Sequence, residues 1–277
     1  CYYDSELEKQ IIREQEIEKE LHLAETDPAD GGLYLQYQPI LDLRTNRICE
    51  FEALARLNSN SLGLVPPMEF IPIAERSKLI IPLGYKIFRQ AFQFLNKLKE
   101  NGYGKIRVSV NVSILQLLTR DFCENLLGMI REMQISPDRV GIEITESIFS
   151  SNYTEINNIL VTLKKAGLYI SIDDFGTGYS SLARESELNV DYLKVDKYFT
   201  DRMLANPGKS IVADIISMAY KLDHCTIAEG VESREQVRYL KEYGCDKIQG
   251  YIISRPLDEK DAIEFLKKHD KSFAKVT

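Results

Sequence analysis

The chain has 277 residues, 44% of them hydrophobic, enough to bury one large core such as a single (β/α)8 barrel of about 250 residues. Its net charge of -7 excludes a general basic surface for a nucleic acid polymer. No apolar run approaches the roughly 18 residues of a membrane span, so no membrane contact by this segment is expected. The five cysteines are odd in number and lack CxxC spacing, which points to free thiols in a reducing cytoplasm. A first residue of Cys rather than Met gives the expectation of a piece of a longer protein.

Residues 5–24 are charged and helical in period, with Leu7, Ile11, Ile17 and Leu21 as a candidate stripe. Residues 1–30 read as a helical linker, either capping the domain or carrying a signal from an upstream module. Asp27-Pro28 through Gly31-Gly32 then break the helix, and residues 31–277 read as the barrel. Leu33–Ile40 and Arg47–Leu57 are strand-like runs joined by a turn at Thr45-Asn46, a hairpin that makes the first strand antiparallel to the second. Residues 68–101 are helical, with Pro72 and Pro82 marking expected breaks. Six strand–helix units follow, opening at 105–113, 140–147, 169–175, 192–196, 225–230 and 247–251. Two hairpin strands and six more give eight, hence an α/β, TIM-like (β/α)8 barrel with an antiparallel first strand.

Polar residues end several of these apolar runs. Strand ends face the mouth of a barrel, where barrel enzymes carry their chemistry. The ring therefore gathers Asn111, Glu143, Asp173, Asp174 and Glu229 into an acidic cup with Lys194 beside it. Such a cup repels itself unless cations hold it together. Carboxylates with one amide suit Mg2+ or Mn2+, and two such ions about 3.5–4 Å apart would activate a water against a phosphoryl group. Of three histidines, His22 and His269 lie near the ends and His224 precedes a strand, which argues against zinc. Lys194 has two readings, a Schiff-base lysine or an ammonium beside a nucleophilic water. Residues 173–178, DDFGTG, read as a mobile loop over the mouth.

Eight motifs in order, YQPI (37–40), EALAR (52–56), VNVS (110–113), EITE (143–146), DDFGTGYSSL (173–182), LKVD (193–196), AEGVE (228–232) and QGY (249–251), make the chain resemble EAL domains, the cyclic di-GMP phosphodiesterases, from about Leu33 to Leu257. The resemblance implies a barrel with an antiparallel first strand and hydrolysis of cyclic di-GMP to linear pGpG with two Mg2+ or Mn2+ ions. It implies Glu52, Asn111, Glu143 and Asp173 as ligands of one metal, with Asp173 bridging to a second beside Asp174 and Glu229. Lys194 would hold the attacking water. Gln38, Leu54, Arg56 and Gln249 would meet the substrate, and Glu146 would anchor the 173–178 loop. Arg184-Glu185 replace an aromatic–Leu pair in the stretch where the family dimerises, so a weak homodimer is expected. Leu57 stands where Trp is frequent. Tyr2-Tyr3-Asp4 and the charged helix resemble the tail of a GGDEF domain, which implies an upstream GGDEF or sensor module. The alternatives are a catalytically silent cyclic di-GMP receptor, which would be expected to have lost some of these acidic residues or Lys194, and an unrelated metal-dependent barrel enzyme.

Overall fold

The computed structural model describes residues 4–26, 32–59, 61–146, 153–176, 188–205 and 210–273. The expectations placed on Tyr2-Tyr3, on residues 177–182 and on Arg184-Glu185 lie outside them. Strand β1 (Leu33–Asp42) turns into β2 (Arg47–Ser59). The turn is set by Asp42, whose Oδ1 accepts from Thr45 N at 2.6 Å, and by Asn46, which takes the left-handed conformation at φ 57°. β2 then continues through a short strand, β3 (Gly63–Val65), that the sequence reading did not separate.

The barrel closes through β4 (Arg107–Asn111), β5 (Val140–Thr145), β6 (Tyr169–Phe175), β7 (Tyr192–Val195), β8 (Cys225–Ala228) and β9 (Lys247–Gln249). From β2 through β9 every neighbouring pair in the ring is parallel, while β1 is antiparallel to both β2 and β9. With β3 set aside as an appendage of β2, eight strands form the closed ring. Runs such as Val108, Val110, Ile142, Ile144, Ile170 and Ile172 are buried, as expected where helices cover a parallel sheet.

Two helices lie between β3 and β4, α2 (Pro67–Arg76) and α3 (Ile80–Glu100). Pro72 does not break its helix, as had been expected. It lies inside α2, where it forfeits one backbone bond. Pro82 is in the first turn of α3, where the backbone N–H has no intrahelical partner in any case. The actual interruption is at Ser77–Leu79, with Lys78 at φ 62°. α3 buries Phe88, Ala91, Phe92, Phe94 and Leu98, and Phe94 stacks on Tyr37 of β1 with ring centroids 3.8 Å apart.

The N-terminal helix α1 (Asp4–Thr26) packs on α2 and α3 through Ile17 and Leu21, both essentially buried. Burying each is worth about 1.5–3 kcal/mol, more than the exposed Arg13–Glu69 and Arg76–Glu14 pairs at about 0–1 kcal/mol each. Leu7 and Ile11, predicted in the same stripe, are about half exposed, because their part of the helix runs beyond the core it packs on.

The base of the barrel is closed by a second polar layer that the motifs did not reveal. Glu50 accepts from Tyr169 OH at 2.9 Å and pairs with Lys247 Nζ at 2.9 Å. Arg107 donates to Tyr192 OH at 2.8 Å. Gly141 makes room for Tyr169, since a Cβ there would lie 2.3 Å from the ring. The four described cysteines other than Cys1 are free thiols. No helix among the described residues is long and apolar enough to cross a membrane.

Candidate active site

Because side chains alternate along a strand, Glu52, Asn111, Glu143, Asp173 and Lys194 share the interior of the barrel near its C-terminal face. Glu229 follows directly on β8, and its N–H donates to Val195 O at 3.0 Å, which fixes it to the end of β7. Lys194 is the centre of the cluster. Its Nζ lies 2.5 Å from Glu143 Oε2, 2.7 Å from Glu229 Oε1, 3.2 Å from Asp173 Oδ1 and 3.4 Å from Glu52 Oε2, with no exposed surface. Four carboxylates around one ammonium leave no geometry for a free amine, so the Schiff-base reading of Lys194 loses its physical basis.

The electrostatics show one cation serving too many anions. Burial alone would lower the Lys194 pKa, but Asp173, Glu143, Glu229 and Glu52 together hold it well above its ordinary value. Glu52 is the best-compensated carboxylate. Burial pushes it up, yet Lys194 and hydrogen bonds from Gln249 and Asn111 bring it below its ordinary value. Glu143 and Asp173 are raised by burial and by neighbouring carboxylates despite Lys194. Glu229 is pushed up to about 8 by burial, opposed by Lys194 and reinforced by Asp173 and Glu52. Asp174 is raised to about 6 by burial and by Asp173 and Asp196.

Among the described residues two groups of three carboxylates could each hold a cation, Glu52 with Glu143 and Asp173, and Asp173 with Asp174 and Glu229. Within each, one oxygen per residue lies within 4.8 Å of the others. Asp173 belongs to both. Among the described residues Glu143 Oε1 is buried with no hydrogen-bond partner, since Lys194 engages the other oxygen of that carboxylate. An all-carboxylate donor set with a nearby amide and no His or Cys fits hard divalent cations, so the residues suit the ions that the sequence implied.

The supporting contacts are local. Asn111 Nδ2 donates to Glu52 Oε1 at 2.7 Å, leaving its amide oxygen as the available donor atom for a metal. Gln249 Nε2 donates to Glu52 Oε2 at 2.6 Å and to Gln38 Oε1 at 3.1 Å, and Gln38 Nε2 donates to Ser254 O at 3.2 Å. These two amides stand behind Glu52 and hold its orientation across β1. Asp174 occupies the left-handed region at φ 55°, a costly conformation for a non-glycine residue and one that recurs at functional sites. Its N–H donates to Asp173 Oδ1 at 3.1 Å. Glu146, 5% exposed, accepts from Gly176 N at 3.0 Å. Gly176 has φ 96°, and a Cβ there would lie 2.9 Å from the Phe199 ring, so glycine is required at this turn.

A cavity of about 570 Å3 opens from the cup. Asn111, Glu143, Asp173 and Asp174 form its polar side, and Leu54 and Arg56 line it from β2. Arg56 Nε donates to Gln36 Oε1 at 2.9 Å, which orients the guanidinium. α2 supplies a further wall that includes Glu75, a residue that no motif had marked; the only sequence signal was a lone acid on the buried face of an amphipathic helix. His224 lies at the opposite end of β8, away from the cup, as expected.

Known proteins share this arrangement. The EAL domain family model matches residues 22–256. The cyclic di-GMP phosphodiesterase NbdA of Pseudomonas aeruginosa is 34% identical over 269 residues, 97% of this chain and 34% of the relative. RocR of the same organism, also named a cyclic di-GMP phosphodiesterase, is 32% identical over 263 residues, 91% of this chain and 67% of the relative. The structure of the EAL enzyme Bd1971 with cAMP and cyclic di-GMP bound superposes with a TM-score of 0.85 at 31% identity, over 94% of this chain and 70% of that one. The PaMucR phosphodiesterase in complex with c-di-GMP gives 0.82 at 29% identity, over 88% of this chain and 99% of that one. The chain spans 29–38% of the length of several curated relatives that it matches. Barrel, acidic cup and family match agree, and the chain belongs to the EAL domain family.

Proposed function

We propose that this domain hydrolyses cyclic di-GMP to linear 5'-pGpG. The observation that carries the reading is the pair of carboxylate triads sharing Asp173 at the end of a 570 Å3 cavity, in a fold whose relatives are named for this substrate. Two divalent cations, when bound, would supply positive charge to the phosphate and lower the pKa of the attacking water. The ligands would be Glu52, Asn111, Glu143 and Asp173 for one ion, and Asp173, Asp174 and Glu229 for the other. Lys194 holds the water by hydrogen bonding and offsets the charge that gathers as the water loses its proton. Glu229 would stand beside the water at the second cation, where its carboxylate could accept a hydrogen bond from it. The water oxygen would bond to phosphorus as the bond from phosphorus to the ribose 3' oxygen breaks, the 3' oxygen taking up a proton from solvent to leave as the hydroxyl while the proton of the attacking water is released to solvent. Leu54, Arg56, Gln38 and Gln249 meet the substrate, Arg56 through a phosphate, and the two amides also keep Glu52 in place. Glu146 anchors the residues that follow Asp174. The acidic set and Lys194 are intact, which favours an enzyme over a silent receptor. We further propose that the domain works in the cytoplasm within a longer protein, behind an upstream GGDEF or sensor module, and that it dimerises weakly.

Incubation with cyclic di-GMP and Mg2+ or Mn2+, followed by chromatography, should yield pGpG. Ca2+ should inhibit, because it accepts loose oxygen geometry and activates water poorly. Turnover that persists in excess chelator would exclude the metal mechanism.

Metal binding should also depend on pH. Ligand carboxylates bind cations only when deprotonated. With Asp174 near 6 and Glu229 near 8, apparent Mg2+ affinity should rise between pH 6 and pH 8 with release of protons. Calorimetry in buffers of differing ionisation enthalpy reads this directly, and a flat affinity would contradict it. In the metal-free protein, raised carboxylate pKa values mean that the native state binds more protons than the unfolded chain. Its stability should therefore fall as pH rises from about 4.5 through 8.

A further inference from the structure

We propose that Glu75 reads a guanine of the substrate, its carboxylate accepting from the ring N1–H and the 2-amino group. This rests on the proposed function above and assigns base specificity to a residue outside the acidic cup. Glu75 lies on α2 and lines the same cavity as Asn111, Glu143 and Asp173. Around it the wall is apolar, with Pro67, Ile71, Leu83 and Ile87, surfaces suited to the flat face of a purine.

The hydrogen bonds fix what Glu75 can do. Ser113 Oγ lies 2.6 Å from Glu75 Oε1, and the same oxygen caps α4 (Ile114–Leu117) by accepting from Leu115 N at 3.3 Å. The serine has one proton. Its oxygen accepts from Leu115 N while its one proton goes to Glu75, whose carboxylate serves as the acceptor. Among the described residues Glu75 has no other side-chain partner, and no Lys or Arg pairs with it. A half-buried carboxylate is thus pinned by one oxygen, with acceptor capacity left, inside a groove and without a counter-charge.

The ligand chemistry that matches is a pair of adjacent donors. Guanine offers N1–H and the 2-amino group side by side, spaced to meet a carboxylate. Adenine presents an acceptor at N1 and would leave the carboxylate facing a lone pair. Hypoxanthine keeps N1–H and lacks the amino group. A site built to hydrogen-bond a group rejects the analogue that lacks it.

The test compares wild type with Glu75→Gln, which keeps the size and an oxygen for Ser113 but replaces the second oxygen with a donor. KM for cyclic di-GMP should rise roughly 10–100-fold with a much smaller change in kcat. The loss should be far greater for cyclic di-GMP than for bis(p-nitrophenyl) phosphate, which has no base. The preference of wild type for cyclic di-GMP over cyclic di-inosine monophosphate should shrink in the variant. Equal losses on both phosphodiesters, or an unchanged preference between the two cyclic dinucleotides, would overturn the assignment and leave Glu75 as a tie between α2 and Ser113. If wild type hydrolyses no cyclic di-GMP, the proposed function fails, and calorimetric binding of the two cyclic dinucleotides to wild type and variant decides the assignment by the same preference. A wild type that binds neither overturns both.

Discussion

Asp173→Ala is expected to lower turnover of cyclic di-GMP by more than about 100-fold, beyond the 10–100-fold typical of losing a residue that merely supports a ligand. Asp173 is the one carboxylate common to both triads, so its loss damages both cation sites at once. Glu52→Ala should also abolish measurable turnover, through one site. Misfolding would not explain such a result. Burial and the neighbouring Glu52 hold the Asp173 pKa up, so the carboxylate is costly in the metal-free protein. Its removal should leave the metal-free melting temperature nearly unchanged. What should vanish is the stabilisation by Mg2+, read as a rise in melting temperature, which for native binding is worth about 2.7 kcal/mol at a hundredfold excess over Kd. An Asp173→Ala protein that turns over normally, or keeps the full Mg2+ shift, would remove the bridging role.

Lys194→Ala should abolish turnover and, unlike Asp173→Ala, should also destabilise the domain. Its ammonium is fully buried and touches four carboxylates. Removing one partner of a buried ionic cluster costs about 3–5 kcal/mol, because the charges left behind have neither water nor a counter-ion. In a domain of this size that corresponds to a fall in melting temperature of roughly 6–20 °C. The deficit should be smallest in acid, where the carboxylates are protonated, and largest above pH 8, where Glu229 ionises. Cyclic di-GMP binding should remain measurable, since Lys194 acts on the water. Thermal melts across pH and isothermal titration of the nucleotide check the two halves separately. Normal turnover by Lys194→Ala would refute its proposed role, and a borohydride-trapped adduct on Lys194 would revive the Schiff-base reading.

The barrel was legible because strand and helix periods alternate and because a hairpin with a turn-forming Asn46 can only join antiparallel strands. Much of the cup was legible for a related reason. Asn111, Asp173, Asp174 and Glu229 sit at or just beyond strand ends, and a parallel barrel turns all such ends to one mouth. Glu52 could be found only through resemblance. It lies in the middle of the 13-residue β2, where nothing local separates an interior ligand from the equally buried Glu50 two positions earlier. Both face the barrel axis. Closure around the ring decides that Glu50 meets Lys247 and Tyr169 at the base while Glu52 meets Lys194 and Gln249 near the mouth.

By itself, then, the sequence determined the ring of strands and the gathering of most of the acidic residues at one mouth, because these follow from local periodicity and residue chemistry. Only the tertiary structure decided which carboxylates lie close enough together to hold a cation, that Lys194 lies against four of them, that Gln249 and Gln38 reach Glu52 from β9 and β1, and that Glu75 faces the cavity from α2. Each of those depends on distances between residues far apart in the chain. Charge interaction and hydrogen bonding fall off over a few ångströms, and the closure of the barrel sets those separations.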